Sequence, residues 1–149
     1  MPKPFRLQTV LDLAEREAEK AAARLGTLNT QLQQVEAKLG LLLQYREDYL
    51  ARFRSGMRQD PHSTGWRNFH DFMDKLDAAI TQQRAIVSHA HELMRKGQAD
   101  YCDHQRRVKA FDVLATRHRD TENLRTGQAE QRAADEVTAA TARRQNHRA

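Results

Sequence analysis

Apolar residues recur along the first part of the chain with a seven-residue beat. One series falls at Leu7, Ala14, Ala21, Leu28, Val35, Leu42 and Tyr49, and a second at Leu11, Ala18, Leu25, Leu32, Leu39, Arg46 and Phe53. Only Arg46 is not apolar. Two apolar positions in every seven, sustained this long, mark the seam of a coiled coil, in which a helix keeps one narrow stripe against a partner. At a rise of 1.5 Å per residue the pattern predicts a rod of roughly 75 Å.

The beat stops at "RSGMRQDPHSTG". Gly56 suits a position at a helix end, and Pro61 opens a helix but does not continue one, with Asp60 or Ser63 as caps. The beat then resumes through Phe69, Met73, Leu76, Ile80, Gln83, Val87, Ala90, Met94, Gly97, Tyr101, His104, Val108, Phe111 and Ala115. Gln83, Gly97 and His104 are its exceptions. The reading is a single coiled-coil domain over residues 1–149. It has a helix over about 4–56, a turn over about 57–64 and a second helix over about 65–140.

Folding the two seams onto each other antiparallel sets Phe53 against Phe69, Tyr49 against Met73 and Leu42 against Ile80. Farther along, Leu25 meets Gly97, Ala21 meets Tyr101 and Ala18 meets His104. Large residues then oppose small ones, as close packing requires. The predicted fold is all-α: two long helices in an antiparallel coiled-coil hairpin, the second longer and overhanging at its C-terminal end. Beyond about residue 116 the first helix offers no partner, and Leu124 and Val137 are the only large aliphatics. That stretch is expected to be unpaired or frayed.

Composition agrees with this picture. Charged residues make up 30% of the chain, against only 6 Gly and 3 Pro, and the mean hydropathy is -0.87. Too little apolar surface is present for a round core. No run of about 18 apolar residues predicts a membrane span, and "MPKPFRLQTV" lacks the apolar centre of a secretion signal. The single cysteine, Cys102, has no partner within the chain, which fits a reducing cytoplasm. The net charge of +5 is compatible with an anionic partner. However, acids and bases alternate along most of the chain, as on a solvated helix face.

Catalytic chemistry has no foothold in the sequence. It contains no glycine-rich phosphate loop, no His-Glu-x-x-His and no Cys-x-x-Cys. His89 and His91 are two apart and point to different helix faces. His104 sits in the seam, and Asp71, Asp74 and Asp77 belong to the charged face. The basic clusters "DHQRRVK" and "TARRQNHRA" are short, and an antiparallel hairpin does not fork onto DNA as a parallel zipper does. No enzyme activity, cofactor, metal, small-molecule substrate or nucleic-acid partner is expected.

The hairpin end carries more apolar surface than one seam uses. Beside the seam, the second helix has Phe72, Ala79 and Ile86, which with Leu76 and Gln83 form a second stripe. The first helix adds Leu41, Leu43, Tyr45 and Leu50. The aromatics Tyr45, Tyr49, Phe53, Trp66, Phe69 and Phe72 cluster here. Two functions for this surplus follow: a thicker knot closing the hairpin, or a docking face for another protein.

Three pieces together, "LQTVLDLAEREAEKAAARLG", "LLLQYREDYL" and "WRNFHDFMDKLDAAITQQR", resemble the flagellar FliJ family in order and spacing over about residues 7–115. The resemblance implies a non-enzymatic, stalk-like component of the flagellar type III export apparatus. Such a component binds the hexameric export ATPase, promotes its assembly and activity, couples it to the membrane export gate protein, and helps escort export chaperones. It also implies a need for the protein in flagellum assembly and motility, and a cytoplasmic location peripheral to the inner membrane at the flagellar base.

By the same resemblance, gate-binding positions fall at Phe72, Leu76, Ala79 and Gln83, with Tyr45 and Tyr49 on the facing helix. The family pattern has a histidine where this chain has Gln83. For the ATPase ring the resemblance implies the paired helix termini. Arg117, Arg119, Arg143 and Arg144 are basic candidates there to meet acidic loops of a pore. The residues themselves leave open a stalk of a virulence-type secretion system, a basic coiled coil on nucleic acid, and a passive spacer.

Overall fold

The computed structural model describes residues 2–56 and 64–148, with side chains from residue 6 onward. All of the described residues are helical. Helix α1 spans Pro2–Gly56 and helix α2 spans Thr64–Arg148. The expected turn residues Asp60, Pro61 and Ser63 lie outside the described residues. Gly56 is the last described residue of α1, and no described glycine has a positive φ, so Gly56 is not itself the left-handed cap that the sequence suggested.

The two helices pack against each other. The chain forms two compact units, one of residues 1–18 with 104–149 and one of residues 19–103. In the second unit the pairing is antiparallel, because partners on α2 fall in number as those on α1 rise. Arg24 bonds Asp100 at 3.1 Å, Val35 accepts from Gln83 at 3.0 Å, Arg46 bonds Asp77 at 2.7 Å, and Phe53 stacks on Phe69. The fold is therefore the all-α hairpin that the two seams predict, with the longer second helix.

Burial follows the heptads. In the second unit the enclosed residues are Ala21, Leu32, Phe53, Phe69, Met73, Leu76, Ile80 and Gln83. Phe53, Phe69, Met73, Leu76 and Ile80 form one cluster, against which Leu39, Leu42, Leu43, Tyr49, Leu50 and Trp66 pack. Each large side chain enclosed here contributes on the order of 1.5–3 kcal/mol. In the first unit Leu11, Ala14, Ala18 and Ala115 are buried.

Two irregularities of the seam have physical explanations. A Cβ placed on Gly97 would lie 2.7 Å from Leu28 Cδ1 and 3.5 Å from Leu25 Cδ1, so a side chain there would require the end of the Leu28 side chain to move. Arg46 keeps its place because its stem lies along the apolar surface while its head reaches outward to Asp77. That hydrogen bond, then the charge of Asp77, raises the guanidinium pKa further.

From residue 123 to residue 148 every side chain is exposed. Even so, α2 continues to Arg148, past the end near about 140 that the sequence suggested. Alanine, glutamine, glutamate and arginine favour helix without a partner. Here the hydroxyls of Thr138 and Thr141 also turn back onto the carbonyls of Ala134 and Val137, each at 2.9 Å.

Candidate functional site

The unit of residues 19–103 carries an aromatic ladder that runs from its core to its surface. Phe53 stacks on Phe69 with ring centroids 3.7 Å apart. Tyr49 lies 5.5 Å from Phe69, nearly parallel to it, and 4.3 Å from Phe72 at a tilt of 41°. Phe53 and Phe69 are each 8% exposed, Tyr49 is half-buried, and Phe72 emerges at 36%. Trp66 and His70 continue the cluster at 3.9 Å.

Helical spacing sets what surrounds the emerging ring. Phe72, Ala79 and Ile86 are seven apart on α2, so they share one face. Ala79 is half-buried and Ile86 is 41% exposed. On α1, Tyr45 and Leu41 are one turn apart and stand out at 64% and 70%. The register fixed by Arg46 with Asp77 and by Val35 with Gln83 carries Tyr45 and Leu41 past this same stretch of α2.

The structure divides the residues that the sequence grouped. Phe72 and Tyr45 are on the surface, while Ala79 and Tyr49 are partly so. Leu76 and Gln83 are not: they are 8% and 4% exposed, and both belong to the seam. The reason is geometric. The series 72, 76, 79, 83, 86 is broad enough to straddle two faces, and its inner members meet α1. Leu41 and Ile86, noted in the sequence only as surplus, are the aliphatic members that the surface retains.

Such a face offers apolar and aromatic contact, which anchors protein interfaces. Among the described residues no group of three or more His, Cys, Asp or Glu side chains is placed to hold a metal ion. Cys102 is exposed. No described helix is long and apolar enough to cross a membrane.

In the other unit, Arg117, Arg119, Arg143 and Arg144 are all exposed. The same unit exposes Val10 at 38%, Leu13 at 57%, Val113 at 45% and Leu114 at 46%. The sequence reading missed these four. Their only signal was position: large aliphatics off the heptad seam, Val10, Leu13 and Leu114 by one residue and Val113 by two, where a helix pair leaves them uncovered.

The chain is thus a coiled-coil helical hairpin with a partly exposed aromatic face. Comparison with known proteins gives the family. The sequence matches the family model described as "Flagellar FliJ protein" over residues 2–147. It is 30% identical over 130 residues to the flagellar FliJ protein of Escherichia coli K12 and 28% identical over 130 residues to that of Salmonella typhi. In each case the match covers 87% of this chain and 88% of the relative. The chain belongs to the FliJ family, and so to the components of the flagellar export apparatus.

Proposed function

We propose that this chain is the stalk-like coupling component of that apparatus. It binds the hexameric export ATPase, promotes assembly of its ring and its hydrolysis, and engages the membrane export gate protein, without catalysing a reaction itself. Escort of export chaperones belongs to the same reading. So does a cytoplasmic position peripheral to the inner membrane at the flagellar base. The observation that carries it is the aromatic face at Phe72, Tyr49 and Tyr45, a surface that the hairpin leaves partly uncovered in a chain of this family.

The two partners are assigned to different parts of the chain. The gate takes the face of Phe72, Ala79 and Tyr45, with Tyr49 supporting the Phe72 ring from below. The ATPase ring takes the paired helix termini, where Leu13 and Leu114 supply apolar contact and Arg117 and Arg119 supply charge. An exposed aliphatic beside exposed arginines suits the partly acidic mouth of a ring, because apolar contact holds what charge attraction brings together.

Co-purification with the flagellar export ATPase, with its hydrolysis measured in the presence and absence of this chain, tests the reading. Joint elution and faster hydrolysis are expected. Neither binding nor stimulation at saturating concentration would remove the stalk role.

A further inference from the structure

The unit of residues 19–103 has cations where its own pairing pattern calls for acids to face them. Beside the seam, charged residues of the two helices meet across the pair. Arg24 and Asp100 show the arrangement, cation against acid at 3.1 Å. Two and four heptads farther along α1, the same position holds Lys38 and Arg52. Two and four heptads back from Asp100, the matching position on α2 holds Ile86 and Phe72. Both cations are exposed, and among the described residues neither takes part in an ion pair. Lys75, three residues from Phe72 and one turn from Ala79, is exposed as well. Asp48, which shares a hollow with Arg52, instead accepts from Gln44 at 3.0 Å.

We propose that the aromatic face is built for an acidic amphipathic segment of its protein partner, with a carboxylate of that segment on Arg52 and an apolar side chain beside it. The proposal rests on the docking role given above and adds the chemistry of the surface that docks.

Arg52 stands between two open hollows. One, of about 230 Å³, is lined by Tyr49, Arg52, Phe53, Gly56 and Phe69. The other, of about 100 Å³, is lined by Tyr45, Asp48, Tyr49 and Arg52. An apolar side chain in the larger hollow displaces water from the rings. A carboxylate one turn away from it reaches the guanidinium, whose planar fork takes both oxygens. Covering the rings also excludes water from the pair and strengthens its attraction. Lys38 and Lys75 extend the positive field along the stripe and steer an acidic segment onto it.

Other occupants fit this surface less well. A second copy of the face would set these cations against their own equivalents. A lipid or nucleic-acid surface would use the cations but leave the aromatic hollows unfilled. A wholly apolar segment would cover the guanidinium without a counter-charge, which is costly.

Capture by the export gate protein, measured as a dissociation constant on the full chain, tests the assignment. Arg52→Glu should weaken capture about tenfold or more without loss of helix content. Because an acid near the end of α1 disfavours the helix, Arg52→Gln repeats the test with a neutral side chain and should weaken capture in the same direction. Arg52→Lys keeps the charge and loses the fork, so its affinity should lie between those of the unsubstituted chain and Arg52→Gln. Arg84→Glu makes the same charge change beside Leu43 and Asp77, on the other flank of the seam, and should leave capture unaltered. Raising salt from about 0.05 to about 0.5 M should weaken capture of the unsubstituted chain more than that of Arg52→Gln. If Arg52→Glu and Arg52→Gln bind as the unsubstituted chain does while Phe72→Ala does not, the face docks a segment that is not acidic, and the proposal is overturned. If Phe72→Ala also binds unchanged, the docking role itself fails and the proposal with it. Equal losses in Arg52→Glu and Arg84→Glu would reduce the effect to net charge and overturn it too. So would capture of the chain through Arg52 by phosphatidylglycerol vesicles lacking the gate protein, which would assign the surface to lipid.

Discussion

The ring of Phe53 on α1 lies on the ring of Phe69 on α2, 12° from parallel with centroids 3.7 Å apart. Both rings are enclosed, and both touch the cluster of Met73, Leu76 and Ile80. This pair closes one end of the antiparallel seam, and its removal bears on the hairpin itself. Phe69→Ala should cost about 3 kcal/mol or more, the usual range for emptying a packed aromatic site. Thermal melts followed by circular dichroism measure it. A loss below about 1 kcal/mol would mean that the stack is not part of the core.

Ala21 is 1% exposed, so no space remains at that layer. Ala21→Trp should overpack it and cost on the order of 1–3 kcal/mol. Denaturant unfolding gives the value, and a neutral result would show that the layer is able to open.

Two glycines in α2 should respond in opposite ways. A side chain at Gly97 meets Leu28 at 2.7 Å, whereas nothing lies within 4 Å of a Cβ at Gly127. Gly127→Ala should strengthen its stretch of helix by about 0.5–1 kcal/mol through lower backbone entropy. Gly97→Val should destabilise the seam by about 1–3 kcal/mol, as overpacking does. Amide hydrogen exchange around each site distinguishes the two effects. Equal protection gains at both would contradict the close approach at Gly97.

The exposed end of α2 should matter to a partner rather than to the hairpin. Every side chain from residue 123 to residue 148 is exposed, so removing these residues takes away no seam contact. The melting temperature should change little, while capture of the export ATPase weakens. A large fall in melting temperature would show that the segment supports the hairpin in a way the exposures do not reveal.

Much of this was legible from periodicity. The heptads set both helices and the register, and two pairs they predict, Phe53 with Phe69 and Leu25 with Gly97, are found in contact or at close approach. The heptads also placed Leu76 and Gln83 in the seam and Phe72, Ala79 and Ile86 beside it, and the exposures agree. The resemblance, by contrast, grouped Phe72, Leu76, Ala79 and Gln83 on one face, and the partner helix covers Leu76 and Gln83. A glutamine reads as a surface residue until an acceptor such as the Val35 carbonyl is placed opposite it. The aliphatics Leu13 and Leu114 were passed over for a related reason, because a search for seam positions discards residues one step off the seam.

The central claim is that the aromatic face serves a partner while the seam beneath it holds the hairpin. The comparison of Phe72→Ala with Phe69→Ala tests it most directly, with a thermal melt and a pull-down by the export gate protein on the same preparations. Phe72→Ala should melt within about 1 kcal/mol of the unsubstituted chain, as an exposed site does, yet lose most of its gate capture and of the motility it supports in cells. Phe69→Ala should lose stability first. If Phe72→Ala instead melts the hairpin as severely as Phe69→Ala, or leaves gate capture and motility intact, the face is not the docking surface described here.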